Sequence, residues 1–151
     1  MRRDSKLSSV LHLLLHMAYS DRPLTSDELA MFLQTNAVLV RRTLAGLRES
    51  GYVGSAKGHG GGWIITADLN QVTLRDIYTS VGSPAVFAMG NRDEHPQCLV
   101  ERVVNDSLTS AFDEAEALLI KRFADVTLAD LSHRFNVQYG ERPHVHLDPA
   151  I

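Results

Sequence analysis

Apolar residues recur three and four positions apart along most of the chain, and the polar interruptions divide them into helices. Leu7, Val10, Leu11, Leu14 and Ala18 line one face of a first helix of about three turns. Arg22-Pro23-Leu24 makes a turn. Thr25 and Glu28 then form a capping box for a short second helix carrying Leu29, Ala30, Phe32 and Leu33. Gln34-Thr35-Asn36 breaks that helix, with Thr35 or Asn36 as cap of a third in which Val40, Leu44 and Leu47 face inward. Gly51 sits where the third helix stops, and Tyr52-Val53 begins a strand. Lys57-Gly58-His59-Gly60-Gly61-Gly62 suits a hairpin tip and no helix interior, and Trp63-Ile64-Ile65-Thr66 gives the return strand.

Downstream, Asn70 to Gly82 predicts a helix capped by Thr73 and Asp76, burying Ile77, Tyr78 and Val81. The polar run Gly90 to Pro96 marks a boundary. A long helix follows from about Pro96 to Phe123, spanning roughly 40 Å. Val100, Val104, Leu108, Ala111, Ala115 and Leu118 form its stripe, widened by Val103, Phe112 and Leu119. Thr127 to Leu131 starts a last short helix, and the tail beyond Gly140 has little to pack.

Two short helices joined by about three residues, the second bearing arginines and followed by a basic hairpin, make a winged helix-turn-helix pattern. The expected fold is therefore mainly α with a small β-hairpin wing and a long C-terminal dimerisation helix. Residues 1–82 form the DNA-binding domain, 83–98 connect, 99–132 hold the dimerisation helix and the short terminal helix, and 133–151 form a tail. Recognition-helix geometry puts Asn36, Val38, Leu39, Arg41 and Arg42 at base edges, where arginine pairs with guanine and apolar tips meet thymine methyls. Lys57, Gly58, His59 and Gly60 suit a minor groove, because no bulky side chain blocks backbone approach. Arg2, Arg3 and Lys6 open the first helix and suit either phosphate contact or a solvated terminus. The long stripe outruns the small domain before it, so a second copy of the chain is its expected cover, and double-stranded DNA the expected partner of the homodimer.

Composition changes this picture little. The chain has 151 residues, is 44% hydrophobic and carries a net charge of −3. Residues 1–63 hold eight Lys/Arg against five Asp/Glu, a net of +3, whereas residues 64–151 hold seven against thirteen, a net of −6. That division fits a DNA-facing front and a partner-facing back. No apolar run approaches the roughly 20 residues of a membrane span, no export signal is evident, and one cysteine excludes an intrachain disulfide, which together place the protein in the cytoplasm, away from membranes. No nucleophile–base pair, carboxylate pair or phosphate loop stands in a recognisable context, so no enzyme, cofactor or catalytic residue is assigned.

These residues together resemble the Rrf-two family of bacterial winged-helix regulators, to which IscR, NsrR and CymR belong. The resemblance runs from Lys6 to about Leu131. It rests on Thr25 to Ala30, Leu47 to Val53, Lys57 to Trp63, Thr73 to Ile77 and Thr127 to Leu131. Thr35 to Arg42 and His95 to Cys98 are most similar to the YwnA-like branch. The resemblance implies a dimeric transcription factor, usually a repressor, and carries DNA contact onto the third-helix positions, Thr35 included, and onto the wing.

Cluster-binding relatives have three cysteines around and after the position of Cys98; here Cys98 stands alone, so a three-cysteine iron–sulfur site is not available. A mixed metal site of Cys98, His95 and the His12/His16 pair of a partner chain is the alternative sensor. With Pro96 as the first residue of the long helix, Cys98 falls in its first turn, where the helix dipole and His95 would favour the thiolate and its oxidation. Cys98 is thus the candidate sensor of an oxidant or small-molecule effector. A winged-helix protein–protein module is the alternative function, since the fold alone does not guarantee DNA binding.

Overall fold

The computed structural model describes residues 3–140, so Arg2 and the tail from residue 141 lie outside the described residues. Six helices and one hairpin follow in the order α1 (Lys6–Tyr19), α2 (Ser26–Leu33), α3 (Ala37–Glu49), β1 (Val53–Ala56), β2 (Gly62–Ile65), α4 (Leu74–Ser80), α5 (Leu99–Ala124) and α6 (Leu128–Tyr139). The fold is a winged helix-turn-helix with a long helix behind it.

Helix α1 lies at the centre. It packs on α2, β2, α4 and α6. Val10, Leu13, Leu14 and Met17 are its buried residues, whereas Leu7, Leu11 and Ala18 are only half-buried. The expected face is therefore too narrow, because a helix covered on several sides is apolar around more of its girth. The core is completed by Leu29, Val40, Leu44, Leu47, Val53, Ile77 and Leu128, among others.

Capping decides where most helices begin. Thr25 accepts from the Glu28 N–H and Glu28 reaches back to the Thr25 N–H; Thr73/Asp76 and Thr127/Asp130 repeat the arrangement. Asn36 rather than Thr35 caps α3, its Oδ1 accepting from the Leu39 N–H at 2.9 Å. Gln34 closes α2 in the left-handed region at φ 52°, and Gly51 ends α3 at φ 82°. Helix α4 starts at Leu74, later than Asn70, because Asp68 accepts from the Asn70 N–H and holds a turn there.

The long helix also starts later than expected. Cys98 is its N-cap in extended conformation, and the first helical bond runs from Arg102 N–H to the Cys98 carbonyl. Pro96 lies outside it, buried, with its carbonyl accepting from Arg102 Nε at 3.0 Å. Residues 83–98 run back along one side of α5. Phe87 meets Phe112 at 5.4 Å, Asn91 reaches Thr109, and Asn105 donates to the Asp93 carbonyl at 2.7 Å. Phe112 therefore faces its own chain and does not widen the outer stripe. Leu99, Val100, Val103, Val104, Leu108 and Leu118 remain 40–72% exposed.

At its far end α5 is sewn to the front of the molecule. Leu74 N–H donates to the Val126 carbonyl and Leu128 N–H to the Val72 carbonyl, both at 2.9 Å, across an antiparallel bridge between Thr73 and Thr127. Helix α6 then returns to α1, where Tyr19 Oη donates to the Ser132 carbonyl at 2.6 Å. It runs to Tyr139, beyond position 132.

Candidate DNA-binding interface

Helix α3 is two-sided. Val40, Leu44 and Leu47 are almost fully buried, which fixes its roll and turns the start of the helix outward. Val38 and Leu39 are 58% and 47% exposed, and Arg41 and Arg42 are exposed beside them. Among the described residues no carboxylate lies within 4 Å of either arginine, since the ion pairs are Lys6–Asp4, Arg22–Glu28 and Arg92–Glu101. Thr35 is half-buried, and Asn36 is exposed with Oδ1 committed to its cap, leaving its amide NH2 as the group to reach outward.

The wing tip spans residues 57–61 between paired Ala56 and Gly62. Lys57, Gly58, His59 and Gly60 are all exposed. Gly58 and Gly60 take φ of 91° and 78°, which glycine adopts at no steric cost. Gly61 has no room for a side chain: a Cβ there would lie 2.4 Å from the Ala56 carbonyl oxygen.

The wing is held by contacts that sequence patterns do not show. Leu24 and Trp63 exchange two backbone hydrogen bonds, at 2.7 and 3.1 Å, adding Leu24 to the hairpin as an isolated bridge. The approach is so close that a Cβ on Gly62 would lie 2.6 Å from the Leu24 carbonyl oxygen. Trp63 Nε1 donates to Ser26 Oγ at 2.9 Å, and the Arg48 guanidinium lies 5.7 Å from the Trp63 ring centre. Ser26, Arg48 and Trp63 thus tie wing, α2 and α3 together. The lone tryptophan next to the glycine run was the available signal.

The start of α2 is equally fixed. Arg22 bonds both carboxylate oxygens of Glu28, at 2.6 and 3.2 Å, while the Thr25 N–H and hydroxyl bond Oε2. Arg22, first, and then Thr25 hold the Glu28 carboxyl down to about 2.

This geometry is that of a winged helix-turn-helix with an exposed basic face on α3, and residues 3–134 match the family described as "Rrf2: Iron-dependent Transcriptional regulator". The chain belongs to that family. It is thereby a transcriptional regulator. YwnA of Bacillus subtilis (strain 168), named as an HTH-type transcriptional regulator, is 23% identical over 133 residues, which are 87% of this chain and 98% of the relative. Among solved structures, T. potens IscR is similar with a TM-score of 0.69 at 17% identity, covering 92% of this chain and 91% of that one. CymR of B. subtilis, titled the global cysteine regulator, is similar with a TM-score of 0.56 at 20% identity, covering 89% and 98%. At such identities the two structures speak for the fold.

The family description names iron, and the residues here do not fit a thiolate-held cluster. The sequence has one cysteine, and among the described residues no group of three or more His, Cys, Asp or Glu side chains converges. Cys98 and His95 are both exposed, and within one chain they do not gather with His12 and His16 into a site. No helix among the described residues is long and apolar enough to cross a membrane.

Proposed function

We propose that this chain is a sequence-specific repressor that acts as a homodimer on a pseudo-palindromic operator. One observation carries the DNA-reading part: Arg41 and Arg42 stand exposed and, among the described residues, without a carboxylate partner, on a helix whose opposite face is locked in the core. Charges so placed await an external anion, and the exposed Val38 and Leu39 beside them suit thymine methyls. Lys57 and His59 extend the basic surface onto the wing. In this reading residues 1–82 read DNA, 83–98 brace the long helix, and 99–132 pair the subunits.

The dimer rests on the uncovered stripe of α5. Residues 83–98 cover one side of that helix, while Val100, Val104, Leu108, Ala111, Ala115 and Leu118 stay exposed. Packing two such stripes together removes apolar surface that a solvated monomer leaves in water. Cys98, exposed at the N-cap of the same helix, is the site where an oxidant would reach the dimer element.

The test is binding to duplexes selected from a random pool. Wild type should bind with steep salt dependence, and Arg41→Ala/Arg42→Ala/Lys57→Ala should not. Retention of operator binding by the triple variant would refute the assignment of the interface. Identical DNA binding and release by wild type and Cys98→Ser under peroxide would remove the thiol sensor while leaving the DNA-binding reading intact.

A further inference from the structure

Two metal-ligating side chains meet on α1, away from α3 and the wing tip. His12 and His16 are one helical turn apart, and their Nε2 atoms lie 2.8 Å from each other. We propose that this pair is a bidentate site for a divalent transition-metal ion of the copper, nickel or zinc type. Two imidazole nitrogens bound to one ion at about 2.0–2.1 Å stand roughly 2.9 Å apart at a right angle and about 3.4 Å apart in a tetrahedron. The observed separation is therefore a tenth of an ångström short of the right-angled arrangement, which copper(II) and nickel(II) favour.

In the free pair one Nε2 carries the proton and donates it to the other. Metal binding moves that proton to Nδ1 of the same ring, so both Nε2 lone pairs face the ion. The rings are already aimed. The His16 ring is stacked on Phe32 of α2, with centroids 3.9 Å apart and planes inclined by 3°, and this holds one ligand in place. His12 is exposed, which gives an ion from solution access. Among the described residues no third protein donor completes the set. An ion here stabilises α1 directly, and α2 through the ring stack. The site is separate from any thiolate cluster and does not depend on the DNA-binding reading.

The experiment uses the full chain with Cys98→Ser, His144→Asn and His146→Asn, which removes the exposed thiol that would reduce copper(II) and the rival imidazoles of the tail. Copper(II) is titrated in and followed by electron paramagnetic resonance, with nickel(II) as probe in parallel thermal melts. The expected result is one copper per chain with hyperfine structure from two nitrogens, and a Tm raised by nickel. His12→Ala, at an exposed position that spares the core, should weaken copper binding by roughly tenfold or more and abolish the nickel-dependent rise in Tm. His12→Cys, probed with nickel(II), should restore part of the rise in Tm that His12→Ala loses. An unchanged copper affinity and spectrum in His12→Ala, or a nickel shift that persists in it, would overturn the proposal.

Discussion

The Glu28 carboxylate serves two structures at once, closing the capping box with Thr25 and receiving both arms of Arg22. Its folded carboxyl titrates near 2, against 4.5 for the free group. A depressed pKa stabilises the fold fully above the unfolded value and loses that contribution as pH falls from about 4.5 towards 2. Arg22 is half-exposed, so solvent screening reduces the contribution to the order of 1 kcal/mol. Urea midpoints measured across that range should fall more steeply for wild type than for Glu28→Gln; parallel curves would contradict this. The box itself was legible in the sequence, because cap chemistry is local. The Arg22 fork was not, since its reach across the Pro23 turn depends on the backbone path. For the same reason Trp63 and Ser26, 37 residues apart, gave no sign of their hydrogen bond.

At the level of elements, α2, α3 and the wing act as one unit because Ser26 of α2 and Arg48 of α3 both hold Trp63. Replacing Arg41 or Arg42 by alanine should cost about 1–3 kcal/mol in operator affinity if the side chain reads a base, and should relax sequence preference there. Lys57→Ala should weaken binding to all duplexes and reduce the salt slope by about one, as for a phosphate contact. Fluorescence anisotropy across salt concentrations and operator variants checks both. Gly61→Ala should distort the wing and weaken DNA binding while leaving the helices folded, visible as unchanged far-ultraviolet circular dichroism. The buried side of α3 was readable from its spacing of three and four. Helix α5 was readable only in part. Its stripe has the right period, but its start and the inward turn of Phe112 are set by residues 83–98, an aperiodic segment that fixes itself by side-chain bonds to α5.

Across the whole molecule, α4 packs directly on the long helix, with the Tyr78 and Phe123 rings 5.9 Å apart, and two further connections join the front to α5. Residues 83–98 bind the first half of α5, and the Thr73–Thr127 bridge fastens the end of α5 to the segment leading into α4. Leu128, beyond that bridge, belongs to the same core as Val10 and Leu44. Leu128→Ala should therefore destabilise the core formed by α1–α4 itself, by about 2–5 kcal/mol in chemical denaturation, even though it lies on the terminal helix. A loss of less than about 1 kcal/mol would show that α6 is an appendage. If the proposed homodimer pairs along α5, Leu108→Glu should instead leave the fold intact and convert it to a monomer in sedimentation. The most direct test of the central claim is the anisotropy of a duplex selected by the wild-type chain, titrated with wild type and with the Arg41→Ala/Arg42→Ala/Lys57→Ala variant. The account predicts tight, salt-sensitive binding by the first and none by the second at equal salt; equal binding curves would contradict it.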